Sequence, residues 1–207
     1  MDMIYLIRHT TPAVARGICY GQTDLEVTGS FHEEAEVIRQ YLPADIGPVY
    51  SSPLNRCTLL AKELFPDRPI HLMRELMEIH CGEWEMRPWD ELPPEEVKPW
   101  MADFVRIRIP GGESYLDLHD RVTRCWEAIR QDKDAGDVAV IAHGGVLRSI
   151  LSAINDTPLI ESFSTYSLYY GCVIRLFETE GRWRYEVLWN QAPAEKEQHK
   201  PSGYYRK

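Results

Sequence analysis

Three short segments carry residues that suit phosphate chemistry. Arg8-His9 follows the apolar run at 3–7 and leads into Thr10-Thr11-Pro12. Ile141-Ala142-His143-Gly144-Gly145 closes a second apolar run at 137–142, and its glycines let backbone approach an anion at a helix start. Ser51-Ser52-Pro53-Leu54-Asn55-Arg56 ends a weaker run at 48–50. It sets a guanidinium in the first turn of a helix, where free N–H groups and the dipole favour anions. Singly, each segment has a plain structural reading: a strand-end histidine satisfied by backbone, a surface arginine, a glycine-rich turn. Together, two arginines, two histidines and a helix N-terminus meet at one end of one sheet. Guanidinium forks match phosphate oxygens bidentately, so the combination reads as a phosphate pocket.

The elements that must hold these residues are legible from periodicity. Each of the three runs reads as a buried strand with a functional loop at its carboxyl end. Phe31, Ala35, Ile38 and Leu42 share one helix face, with Ser30 and Glu33 spaced as a capping box. Leu54, Cys57, Ala61 and Leu64 form a second face, with Ser52 expected as N-cap. Tyr115, Leu118, Val122, Cys125 and Ile129 form the longest stripe, capped by Ser114, and Val146, Ile150 and Ile154 follow the His143 segment. Strands alternating with helices predict an α/β chain, a three-layer α/β/α arrangement around a mainly parallel central sheet. Ligands in such sheets sit outside the carboxyl ends of strands, where the three motif segments fall. Residues 171–177 and 183–189 read as an edge hairpin around Glu180-Gly181. The 207 residues suit a single domain, 1–207, with 79–112 as a cap-like insertion rich in tryptophan and proline. The polar tail, 192–207, is expected to be loosely held.

Composition narrows the function classes. The formal net charge of −9 argues against a nucleic-acid partner, because phosphate backbones reward clustered Lys and Arg. A small phosphorylated substrate is still accommodated by a local basic pocket inside an acidic shell. Five widely spaced cysteines without a C-x-x-C pair suit reduced thiols rather than a disulfide framework or a zinc ribbon. No apolar stretch approaches the ~18 residues of a membrane span, and the first run is too short for a signal peptide, so a cytoplasmic protein is expected. A homodimer is left open by the sequence.

The motifs L-I-R-H-T-T, S-S-P-L-N-R, E-L-M-E-I-H-C-G-E-W-E, P-G-G-E-S and I-A-H-G-G, in this order, resemble the histidine phosphatase superfamily in its phosphoglycerate-mutase-like branch. The resemblance implies His9 as the phosphorylated nucleophile, Arg8, Arg56 and His143 as phosphate ligands, and Glu78 as acid and base. The chain departs from the usual pattern at Thr10 and Thr11, where most members carry Gly and Glu. G-I-C-Y-G-Q-T-D at 17–24 and C-G-E-W-E-M-R at 81–87 look most like the α-ribazole phosphatase group, which implies a phosphomonoesterase acting on α-ribazole 5′-phosphate. A phosphoglycerate mutase and a broad-specificity sugar or nucleotide phosphatase are the alternatives. A mutase needs cations beyond the first phosphate pocket, and 79–105 offers only Arg87 and Lys98.

The residue chemistry runs in parallel. A histidine attacks phosphorus only as neutral imidazole, and Arg8 and Arg56 disfavour the imidazolium by like-charge repulsion. Arg and His supply the charge that Mg²⁺ supplies elsewhere, so neither metal nor cofactor is expected. Trp84 is expected to stack on an aromatic leaving group, with Tyr20, Gly21 and Gln22 near its sugar or ring, Gly144 at the phosphate, and Phe104 in the core.

Overall fold

The structure is a computed structural model and describes residues 3–131, 136–194 and 197–204. In chain order the elements are β1 (Ile4–Arg8), α1 (Phe31–Arg39), β2 (Val49–Ser51), α2 (Asn55–Leu64), β3 (Ile70–Leu72), α3 (Pro94–Ala102), α4 (Tyr115–Arg130), β4 (Val138–Ala142), α5 (Gly144–Ile154), α6 (Ser162–Thr165), β5 (Val173–Thr179) and β6 (Arg182–Trp189). The six strands form one sheet in the order β3-β2-β4-β1-β5-β6. The pairs β3–β2, β2–β4 and β4–β1 are parallel, and β1–β5 and β5–β6 are antiparallel.

Every residue of β1 and β4 is buried, which is why both read as unbroken apolar runs. Alternation then sends their side chains to opposite faces. Ile4, Leu6, Val138, Val140 and Ala142 pack with α4 and α5, whereas Tyr5, Ile7, Ala139 and Ile141 pack with α1 and α2. The sheet is thus covered on both sides, as expected from the sequence. A third, smaller cluster of Cys19, Trp84, Trp89, Leu92, Val97 and Ile109 lies mostly within residues 79–112. No helix among the described residues is long and apolar enough to cross a membrane.

Register decides where the motifs meet. Arg8 lies opposite Ala142, and Ser51 opposite Ile141, so β1, β2 and β4 end at one level. His9, Ser52 and His143 follow at once. Because β5 runs the other way, it is its beginning that reaches this end of the sheet, and Tyr170 comes with it.

Several local expectations need correction. Ser52 does not cap α2, which starts at Asn55 with Leu54 as N-cap; its hydroxyl lies 2.8 Å from His143 Nε2 instead. Ser30 does precede α1, but its hydroxyl bonds Glu34 rather than a backbone amide or Glu33. The tail is not loose where it is described: Glu197 pairs with Arg8, and Ser202 donates to Asp90. Residues 195, 196 and 205–207 of that expectation lie outside the described residues. The short strand β3 went unread because His71 and Leu72 are exposed and give no apolar run.

The Ser114 cap is present in full, with reciprocal bonds to Asp117. Ser114→Ala should therefore cost about 1 kcal/mol, the usual scale for losing an N-cap. Urea unfolding with an unchanged slope would show it as a lower midpoint.

Candidate active site

His9 sits 2% exposed at the end of β1, its backbone N–H donating to Ala142 O (3.1 Å). Its ring Nδ1 lies 2.7 Å from Thr10 O. A carbonyl can only accept, so Nδ1 carries the proton and Nε2 keeps a free lone pair. The imidazolium is strongly disfavoured: burial holds the His9 pKa well below the usual histidine value, and Arg56 and Arg8 push in the same direction. The His143 ring stands 5.1 Å from it, inclined by 62°. Its pKa is likewise well below normal, through burial first and then Arg56.

Two guanidinium groups flank this pair. Arg56 is fully buried and donates to Thr23 O (2.9 Å) and Gly21 O (2.7 Å). Those carbonyls are themselves held by Glu85, whose carboxylate accepts from the backbone of Gly21, Gln22 and Cys81 and from the Thr23 hydroxyl. Burial alone would raise the Glu85 pKa, but the bonds from Thr23, Gly21, Gln22 and Cys81 outweigh it and hold the group below its usual value. Arg8 packs its guanidinium 4.0 Å from the Tyr170 ring centroid and donates to Leu168 O (2.7 Å). Tyr170 and Tyr20 join through their hydroxyls at 2.6 Å, and the Tyr20 ring lies 5.6 Å from the Arg56 guanidinium carbon. Arg8 Nε and Arg56 Nε are both buried with no acceptor among the described residues. Buried donors without partners are rare in folded proteins and point to an absent anion.

Glu78 completes the floor. Its carboxylate accepts from Gly145 N–H (3.0 Å) at the start of α5 and from Ile79 N–H (2.9 Å). Arg121 of α4 clamps the preceding backbone, donating to Met77 O and Glu78 O. The paired glycines let Glu78, Arg148 and Arg8 keep the positions they hold here. A Cβ on Gly145 would lie 2.3 Å from Glu78 Oε1, and one on Gly144 would lie 2.9 Å from Arg148 Nη1 and 3.4 Å from Arg8.

Above this floor is a cavity of about 410 Å³. Trp89, Trp100, Met101, Phe104, Ile109 and Phe163 form apolar walls, and Gln198, His199 and Lys200 of the tail close it. Of the sequence candidates, Arg8, His9, Tyr20, Arg56, Glu78 and Gly144 border the cavity, and His143 lies directly behind His9. Gly21 and Gln22 build the site from behind: Gly21 holds Arg56, and the Gln22 amide donates to Glu78 O. Trp84 belongs to the core and not to the wall, and Phe104, packed against the core as expected, borders the cavity as well. Trp84 is fully buried, with its indole N–H on Glu96. Both are aromatic residues of one segment, and only the packing of that segment separates them. The neighbouring carboxylate of Glu113 is tied to Arg121 and to His80 N–H.

Sequence reasoning missed Tyr170, Arg121, Arg148 and Glu197. Arg148 had a usable signal. It lies one helical turn past Gly144 and therefore on the same face of α5. Its guanidinium lies 4.5 Å from the Phe163 ring centroid, with Nε donating to Tyr166 O. A larger surface groove of about 570 Å³ between Trp126, Arg130, Asn155 and Arg182 contains none of these groups.

The chain is similar to known proteins over most of its length. The model of the histidine phosphatase superfamily (branch 1) matches residues 4–191. The adenosylcobalamin/alpha-ribazole phosphatase of Salmonella typhimurium is 26% identical over 196 residues, covering 91% of this chain and 96% of that protein. Phosphoserine phosphatase 1 of Hydrogenobacter thermophilus is 25% identical over 182 residues, covering 83% and 82%. The crystal structure of the alpha-ribazole phosphatase from Shigella flexneri has the same fold, with a TM-score of 0.81 at 23% identity over 89% of this chain and 95% of that one. With a family pattern running from β1 to just past β6, laid over a floor built from its own motif residues, the chain belongs to the histidine phosphatase superfamily, branch 1.

Proposed function

We propose that the chain is a phosphomonoesterase working through a phosphohistidine on His9. The observation that carries this is the floor itself. A buried histidine has its Nδ1 proton committed to Thr10 O, and two buried Nε–H donors of Arg8 and Arg56 lie beside it without acceptors. A phosphoryl group satisfies both donors and meets the lone pair of Nε2.

In the first step, His9 Nε2 attacks phosphorus in line with the leaving oxygen. Arg8, Arg56 and His143 stabilise the charge on the equatorial oxygens. The P–O bond to the alcohol breaks as the P–N bond forms, and Glu78 gives its proton to the departing oxygen. In the second step, Glu78 takes a proton from water, which attacks the phosphohistidine. Phosphate leaves and His9 returns to the neutral form. The chain's own cations do the charge neutralisation, with no metal in either step.

The walls bear on the leaving group. Four aromatic rings, Trp89, Trp100, Phe104 and Phe163, favour a flat apolar group. That supports α-ribazole 5′-phosphate, with its benzimidazole, as the substrate, in line with the relatives named for it. A second reading rests on Arg148. Its Nε alone has an acceptor among the described residues, which leaves donors for an acidic leaving group such as the serine of phosphoserine. Phosphate release from α-ribazole 5′-phosphate, phosphoserine and 3-phosphoglycerate, compared by kcat/KM, separates the two readings. Isomerisation of 3-phosphoglycerate in the same assay would expose a mutase.

His9→Ala should abolish turnover while the far-UV spectrum stays native; acid-labile, base-stable label trapped on that variant as on the wild type would refute the assignment. EDTA should leave activity unchanged, and loss with recovery on adding Zn²⁺ or Mg²⁺ would overturn the metal-free mechanism. Glu78→Gln should slow hydrolysis of an alkyl phosphate by ~10²- to 10⁴-fold, the range of general acid catalysis. With p-nitrophenyl phosphate the leaving anion needs little protonation. The pre-steady-state burst of p-nitrophenol should therefore survive, followed by a slow steady rate. Loss of the burst would mean that Glu78 only organises the pocket.

A further inference from the structure

Arg8 is not waiting empty. Its Nη1 and Nη2 donate to Glu197 Oε1 (2.8 Å) and Oε2 (2.7 Å), a forked pair with side chains only 5% and 12% exposed. This is the geometry in which a guanidinium grips two phosphate oxygens. The group holding that position belongs to the chain itself, 189 residues away in sequence. The segment that follows is tied at its other end as well. Ser202 donates its backbone N–H (2.6 Å) and its hydroxyl (2.7 Å) to the Asp90 carboxylate. Between these anchors, Gln198, His199 and Lys200 border the cavity opposite the His9 floor.

We propose that Glu197 is an internal stand-in for the phosphoryl group, and that the segment it anchors, 197–204, is the element that selects the leaving group. A phosphomonoester takes the fork of Arg8 only by displacing the Glu197 carboxylate. The segment, still tethered through Asp90, then lies over whatever the phosphate carries. This rests on the reading of the His9 floor as the phosphate site.

Charge favours the exchange. A phosphomonoester dianion brings two negative charges to a floor bearing Arg8, Arg56 and Arg148, where Glu197 brings one. It also reaches the unpartnered Nε donors of Arg8 and Arg56. A neutral or singly charged ester gains less and does not open the pair, so the carboxylate discriminates by charge as well as by place. The segment discriminates by shape, because residues 198–200 line the same cavity as the aromatic walls. A permanent structural role for Glu197, holding Arg8 in position for phosphate, makes the opposite prediction for binding.

The test is calorimetric binding of inorganic phosphate and of vanadate to the full-length protein, alongside Glu197→Ala and Asp90→Asn. If the closed form dominates in the free protein, apparent affinity is reduced by the fraction that is open. Glu197→Ala should then bind both anions about tenfold more tightly, the scale expected when some nine-tenths of the free protein is closed. Asp90→Asn touches neither the floor nor the anion. It should tighten binding by about threefold by loosening the tether, and so reports on the same equilibrium should the Glu197 variant fail to fold. It should also raise kcat/KM for 1-naphthyl phosphate relative to glycerol 2-phosphate, because the roof yields to the bulkier group. Weaker or unchanged binding in Glu197→Ala, or an unchanged affinity and substrate ratio in Asp90→Asn, overturns the inference. Failure of all three proteins to bind either anion overturns the phosphate site itself, and the inference with it.

Discussion

A histidine that is to attack phosphorus must arrive without a proton on the attacking nitrogen, and most contacts around His9 bear on that requirement. Burial does most of it, because an imidazolium stripped of water is costly. Arg56 and Arg8 add repulsion. Thr10 O then fixes which nitrogen keeps the remaining proton. The same carbonyl bears on the unusual Thr10. What His9 needs from this residue is its backbone, so a side chain other than the family's glycine leaves that contact unchanged. Desolvating a neutral ring is cheap, but desolvating the guanidinium groups beside it is not, since each buried charge costs several kcal/mol unless partnered.

The surrounding structure supplies those partners, Glu197 among them, and still leaves the Nε donors of Arg8 and Arg56 without acceptors among the described residues. Arg56 gives two donors to carbonyls of the 21–23 loop, and Glu85 gathers the amides of that loop so that its carbonyls point back. Arg8 rests on the face of Tyr170, whose hydroxyl reaches Tyr20. Neither device uses the buried Nε donors of Arg8 and Arg56. The acidic balance of the whole chain, −9, fits this division. Carboxylates pair with cations at close range around the site, Glu197 with Arg8 and Glu113 with Arg121.

Much of this was legible in sequence. The strand-end motifs could be placed because buried parallel strands read as apolar runs, and such sheets gather ligands at one end. The helix after Ser114 was legible down to its cap, because capping is local chemistry within four residues. What stayed hidden depends on long-range packing. Ser52 has the credentials of a helix cap, yet a histidine 91 residues away claims its hydroxyl. Trp84 was expected at the leaving group but is core, because the packing of residues 79–112 settles which ring turns inward. Tyr170 precedes an antiparallel strand, so it enters the site from the start of an element, where a search of strand ends does not look. Glu197 lies in a stretch whose composition reads as a solvated tail, and only Arg8 gives it a place.

The position of β1 carries a consequence for how the chain is made. It precedes every other strand of the sheet in sequence and sits deep within it, pairing on one side with β4 and on the other with β5. Neither neighbour exists until residues 138–142 and 173–179 have left the ribosome. Until then Ile4–Arg8 is an apolar ribbon with both hydrogen-bonding edges bare, the kind of segment most prone to pair with another chain. Contacts so distant along the sequence also slow folding, since loop closure must precede them. The strand that delivers the histidine thus waits for partners more than a hundred residues further along the chain, and the site cannot assemble before they are made.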